Sequence, residues 1–290
     1  MGRRQRQWRV SHTRTGRLQW YGAGLVVALV LASTLAWPAT EPKHGGVLNA
    51  TLSEPPPSFS IHEEATVASV WPMMPCYNNL VLFDPLKKQE SVNTIIGELA
   101  EKWAWQDAGK TLVFHLRRGV KWHDGQPFSS KDAKHTFDVV REAPEASGKL
   151  RVNPRKLWYE NVVYIEAPDP DTMIFRLKRP QPSLLLMLAS GYSPVYPAHV
   201  PPAELRTKCV GTGPFKLKEH RPGEYVELAK NPDYMIKGRP YLDGIRYVII
   251  RERGTRYSAI QAGRQDIAYP LEIAKTIAES VKQAVPSMVL

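Results

Sequence analysis

Apolar and polar positions along this chain change over short runs, which predicts many brief strands and helices rather than a few long ones. Gly46 to Leu52 reads as a strand. Ser53-Glu54 and the prolines Pro55 to Pro57 end it, because consecutive prolines cannot donate to a ladder. Ala65 to Leu80 is mostly apolar and predicts a helix interrupted at Pro72 and Pro75. Val81 to Phe83 predicts a strand closed by Asp84-Pro85, and Ile96 to Trp103 a short helix or loop. Thr111 to Leu116 alternates well enough for a strand after the turn Asp107 to Lys110. Ser129 and Asp132 offer a capping box, with Asp in place of the usual Glu. Ala133, Phe137 and Val140 follow on one helical face.

Farther along, Val162 to Ile165 and Met173 to Leu177 predict strands joined by the turn Ala167-Pro168-Asp169-Pro170-Asp171. Leu184 to Leu188 is too short to span a bilayer and predicts a buried helix. Strands are expected again at Phe215–Leu217, Tyr225–Leu228 and Tyr247–Ile250, a helix at Thr255–Gly263, and a strand at Asp266–Tyr269. Helices and strands mix without steady βα alternation, so the fold class is α+β (mixed α/β).

Composition changes this picture little at 43% hydrophobic and 23% charged residues, which is ordinary globular usage. The 25 prolines fit the short elements. The net charge of +11 is a matter of location. Six arginines stand before residue 20 and no acid before Glu41, so beyond residue 40 the balance is 33 basic against 28 acidic residues. That excess forms no basic stripe, which argues against a nucleic-acid partner. The basic leader and the apolar run Tyr21 to Ala36 predict a secretory signal peptide or an N-terminal anchor over residues 1–40, and an exported, periplasmic product.

The densest chemistry lies between His115 and His135. Lys121-Trp122-His123-Asp124-Gly125-Gln126-Pro127-Phe128 combines an aromatic, an imidazole and a carboxylate. A metal-dependent enzyme built on His115, His123 and Asp124 is the alternative function. No His-Glu-x-x-His or His-x-His pair fixes a ligand geometry, so the expectation is no metal site, with Asp124-Gly125 as a turn. No Gly-x-Ser-x-Gly elbow is present, and no catalytic residue is assigned. Gly211-Thr212-Gly213-Pro214-Phe215 is no phosphate loop, since Pro214 removes a donor and a strand follows. It reads as a chain reversal that requires small residues. The chain has two cysteines, Cys76 and Cys209; whether they pair is left open.

In order and spacing, several segments resemble the extracellular solute-binding proteins of the peptide, dipeptide and nickel-binding family (family 5), which serve ATP-binding-cassette importers. They are Glu54 to His62, Tyr77-Asn78-Asn79-Leu80 through Asp84-Pro85, Leu99 to Trp103, Leu116 to Gly125, Gly211 to Leu217, Asn231-Pro232-Asp233-Tyr234 and Ala262 to Ile267. The resemblance implies a two-lobed, type II periplasmic binding protein-like fold. It implies a receptor, with no enzyme activity and no cofactor, that captures a peptide or other small solute. A membrane permease would be its partner, and the receptor a monomer. It also implies that Glu64, Ala65, Thr66 and Val67 line the ligand cleft. Family members are much longer, so the chain is expected to be C-terminally truncated, or a non-functional fragment, without the second ligand-gripping lobe. The expected division is an incomplete first lobe at 45–79 and 181–290, and an inserted smaller lobe at 80–180.

Overall fold

The computed structural model describes residues 42–268 and 274–289. In chain order its elements are β1 (Val47–Leu52), α1 (Val67–Met73), β2 (Val81–Phe83), β3 (Ile95–Gly97), β4 (Ala100–Gln106), β5 (Thr111–Leu116), α2 (Ser130–Val140), β6 (Val162–Asp169) and β7 (Thr172–Leu177). There follow α3 (Ser183–Ala189), β8 (Phe215–Arg221), β9 (Tyr225–Lys230), β10 (Gly244–Ile249), α4 (Arg253–Gln261) and α5 (Lys275–Ala284). The residues expected as leader or anchor lie outside the described ones. Among the described residues no helix is long and apolar enough to cross a membrane.

Two four-stranded sheets organise the molecule. One has the order β1-β10-β9-β8, with β1 and β10 parallel and the other pairs antiparallel. The other is antiparallel throughout, in the order β4-β5-β7-β6. A parallel pair needs a long crossover, and here it holds the whole second sheet. Each sheet has its own apolar cluster. The first cluster runs from Leu80 to Val195 and includes Phe114, Trp122, Phe137, Tyr159, Phe175 and Leu184. The second draws on Ala50 to Tyr77 and Tyr196 to Tyr247.

α2 shows local sequence and packing in agreement. Asp132 Oδ2 accepts from the Ser129 N–H at 2.8 Å, completing the expected capping box. Ala133, Phe137 and Val140 are buried on the face toward the sheet. α1 is shorter than its apolar run suggested. It carries Pro72 inside, then tightens to a 3-10 turn at Met74–Cys76 with Pro75 at its second position.

Three expectations are corrected. Ile96 to Trp103 is not helical: Ile96 belongs to β3, paired with β2, and Ala100 onward to β4. Trp103 and Trp105 are half-buried while Ala104 and Gln106 are exposed, a period of two that marks a strand. Asp266 to Ile267 forms no strand but a single bridge, Ile267 to Ala50. Asp266 Oδ2 accepts from the Asn49 backbone N–H at 2.7 Å, so this segment fastens the rim of β1; Tyr269 lies outside the described residues. The turn expected from Ala167 to Asp171 is narrower, because β6 runs on to Asp169. Pro168 is tolerated there because β6 is an edge strand with one side unpaired.

Candidate ligand-binding site

The segment expected to line a cleft, Glu64 to Val67, links a 3-10 turn at Ile61–Glu63 to α1. Glu64 (φ −120°, ψ 141°) and Thr66 (φ −91°, ψ 148°) are extended. Ala65 and Thr66 are exposed, and Glu64 and Val67 half-buried. Among the described residues no hydrogen bond engages the N–H of Ala65 or of Thr66. The segment therefore offers two unpaired donors on exposed residues.

What holds it is buried. Glu63, 3% exposed, accepts from Arg206 Nε at 2.7 Å, from Arg206 Nη2 at 2.9 Å and from the Arg151 N–H at 2.6 Å. Burial pushes its carboxyl up, but the Arg206 guanidinium and the Arg151 N–H outweigh burial and hold it below the usual range. Arg155, 3% exposed, donates to the His62 carbonyl at 3.4 Å and to the Glu64 carbonyl. Its guanidinium lies 4.6 Å from the centroid of the Tyr192 ring. A planar guanidinium suits this task, since it can hold two carbonyls while stacking on an aromatic face. Arg151 Nη2 approaches the Glu64 carboxylate at 3.8 Å. The exposed segment thus rests on a network joining residues 62–64, 151–155 and 206, which adjacency in sequence could not reveal.

His62 belongs to the same support. Its Nε2 is 2.7 Å from the Pro194 carbonyl, and its Nδ1 has no hydrogen-bond partner among the described residues. Burial pushes the ring down to about 3, so it is neutral and Nε2 carries the proton. A second titratable group, half-buried, sits nearby in the fold. Glu98 accepts from Asn78 Nδ2 at 2.5 Å and from the Asn79 N–H at 2.6 Å, and burial pushes it up to about 7 against both donors and Arg117. It lines a cavity of about 420 Å³ with Ile61, Tyr77, Asn79 and Tyr192. The segment 64–67 does not line that cavity; Val67 instead borders a recess of about 170 Å³ with Glu54, Ala68 and Trp71.

These two groups predict opposite pH dependences. His62 keeps a folded pKa near 3 against an ordinary 6.5, so its stabilising share is whole above pH 6.5 and fades as pH falls toward 3. Glu98 keeps a folded pKa near 7 against 4.5, so its share is whole below pH 4.5 and is lost as pH rises through 7. Urea unfolding between pH 4 and 8 is expected to show a flattened profile from 4.5 to 6.5. Glu98→Gln should steepen the loss on acidification, and His62→Asn should leave a protein that gains stability on acidification. An unchanged profile in both variants contradicts these assignments.

The residues of the alternative, metal-based reading go separate ways. His123 Nε2 donates to the Gly213 carbonyl at 3.0 Å, and its Nδ1 accepts from the Gly211 N–H at 3.3 Å. Burial holds the ring below its ordinary pKa, in keeping with a neutral clamp. Asp124 Oδ2 is 2.6 Å from His199 Nε2 and its Oδ1 accepts from the Gln126 N–H, within a turn where Gly125 has φ +90°. His115 lies exposed on β5. Among the described residues no three His, Cys, Asp or Glu side chains are placed to hold a metal. The Lys121–Phe128 run therefore grips residues 211–213, a partner that its own spacing did not disclose.

Residues 94–287 match the model of the bacterial extracellular solute-binding proteins, family 5, middle region. A Brucella ovis protein named as an ABC transporter peptide-binding protein is 32% identical over 215 residues, covering 71% of this chain and 38% of its own. The dipeptide-binding protein of Escherichia coli is 27% identical over 68% of this chain and 39% of its own. The structure of the oligopeptide-binding protein AppA from Bacillus subtilis, in complex with a nonapeptide, superposes with a TM-score of 0.71 at 25% identity. That match covers 84% of this chain and 47% of AppA. The chain thus spans less than half the length of these relatives. Its fold is that of the type II periplasmic binding proteins, and the chain belongs to the bacterial extracellular solute-binding proteins, family 5.

Proposed function

We propose that this chain is the solute-binding component of an ATP-binding-cassette importer. It captures a peptide or similar small solute outside the inner membrane and presents it, chemically unaltered, to a membrane permease. The carrying observation is the segment Glu64–Val67, whose exposed Ala65 and Thr66 have N–H groups without a partner among the described residues, and which Arg155 and Glu63 hold in place. An extended peptide can pair its carbonyls with such donors whatever its side chains, which gives sequence-tolerant binding. In this reading the receptor acts as a monomer and residues 80–180 form an inserted smaller lobe. Residues 45–79 and 181–290 supply the first lobe, and the leucines of α3 pack back onto the inserted one.

The test is thermal unfolding of the full chain against a panel of di-, tetra- and nonapeptides. A ligand at a hundred times its Kd adds about 2.7 kcal/mol to the unfolding free energy, enough to raise the midpoint measurably. Arg155→Met, which keeps the apolar stem but releases the Glu64 carbonyl, should weaken the peptide response about tenfold or more. A panel without a single stabilising peptide removes this reading.

A further inference from the structure

The two cysteines lie far apart in sequence and meet in the second core. Cys76 ends the 3-10 turn after α1 and is fully buried; Cys209 is 7% exposed. The backbone after Cys209 presses against Cys76. The Gly213 N–H donates to the Cys76 carbonyl at 2.9 Å, and a Cβ on Gly211 would stand 1.8 Å from that same oxygen. Both side chains are buried in the second apolar cluster, and Cys209 adds to burial in raising the Cys76 thiol. Both are free thiols here, and the chain has no other cysteine to compete.

We infer that Cys76 and Cys209 are a modification site that closes to a disulfide when the chain folds in an oxidising compartment. The position gives the bond a purpose. Every buried residue of the first core, Leu80 to Val195, lies between the two cysteines. The bond would tie the chain where it leaves the second core to the point where it returns, closing a loop around the whole first core. Cross-linking so long a loop removes much freedom from the unfolded chain. The Gly211–Gly213 backbone that it anchors is the one clamped by His123.

The chemistry is thiol–disulfide exchange with a disulfide donor, such as an oxidoreductase of the exported space or oxidised glutathione. One cysteine thiolate attacks a donor sulfur and expels a thiolate. The other cysteine then attacks the mixed disulfide and expels the second. One S–S bond forms in the protein and one breaks in the donor, which gains two electrons and both thiol protons. Exchange needs a thiolate, and burial raises the Cys76 thiol well above its ordinary range, so the reaction precedes closure of the core. Afterwards the same burial shields the bond from reductants.

The inference rests on the exported-receptor reading for its oxidant, and two arms separate the failures. In the first, the full chain is refolded in a buffer of oxidised and reduced glutathione, denatured, and its thiols are counted with a mass-tagged maleimide. The expected result is no tag before reduction and two after it, with a lower midpoint of urea unfolding in the reduced form. Cys209→Ser should take up one tag, or carry glutathione that reduction removes. Two tags on the refolded wild type overturn the inference whatever the protein's location. In the second arm the protein is trapped with acid directly from cells. No tag supports both readings. Two tags there, with a disulfide in the first arm, leave the pairing standing and count against export.

Discussion

Glu63→Ala is expected to lower the unfolding free energy by about 3 kcal/mol, the low end for breaking a buried ion pair. The carboxylate is inaccessible, yet three donors converge on it from two distant segments. Removing it strands the Arg151 N–H and leaves the Arg206 guanidinium without its bidentate partner. Arg206 keeps 30% of its side-chain surface in water, so it regains some hydration and the loss stays below the upper end of the range. Glu63→Gln retains the shape and an acceptor, and should cost about half as much. A double-mutant cycle with Arg206→Met, read by urea unfolding, isolates the pair. A coupling energy below about 0.5 kcal/mol, the size of an exposed pair, contradicts a structural role for it. Because Glu63 adjoins Glu64, Glu63→Ala should also weaken whatever binding the peptide panel reveals.

Gly211→Ala is the second large effect, at about 3 kcal/mol or more, because the obstacle is backbone and cannot rotate away. The added methyl would stand 1.8 Å from the Cys76 carbonyl oxygen and 2.9 Å from the Tyr77 ring. Either residue 211 withdraws, and both hydrogen bonds between Gly211 and His123, one to its backbone N–H and one to its ring, break, or the turn at Met74–Cys76 shifts. Gly125→Ala is the matched control. Its φ of +90° disfavours a side chain, but nothing lies within 4 Å of the new Cβ, so the cost should be about 1–2 kcal/mol. Thermal unfolding of the two variants side by side checks the contrast. Equal midpoints would mean that the close approach at Gly211 carries no energy.

These cases show which parts of the fold were legible in the chain. The capping box at Ser129 and Asp132, the α2 face and the strand Thr111–Leu116 depend on residues within a turn or two of one another, and local pattern sufficed. Ile96 to Trp103 misled because the apolar residues could serve a helix or a strand until β2 and β5 supplied partners. Asp266-Ile267 had the composition of a strand, yet the Asp266 carboxylate takes the Asn49 N–H and leaves one bridge. Gly211 and Gly213 were legible as positions needing small residues. Their reason, the approach of Cys76, was not.

The candidate site divides in the same way. Glu64 to Val67 were indicated by a resemblance carried by ordered motifs, each local and readable. Its supports, His62 through Pro194, Glu63 through Arg206 and the Glu64 carbonyl through Arg155, span 91 to 143 residues of sequence. Sequence by itself determined element types wherever neighbours a few positions apart set the backbone, and determined the family through the order of those elements. Tertiary structure alone decided which buried charges found partners, which glycines met another backbone, and that Cys76 and Cys209 share one core. Such pairings depend on desolvation and close contact between remote segments, and neither exists until the chain has closed on itself.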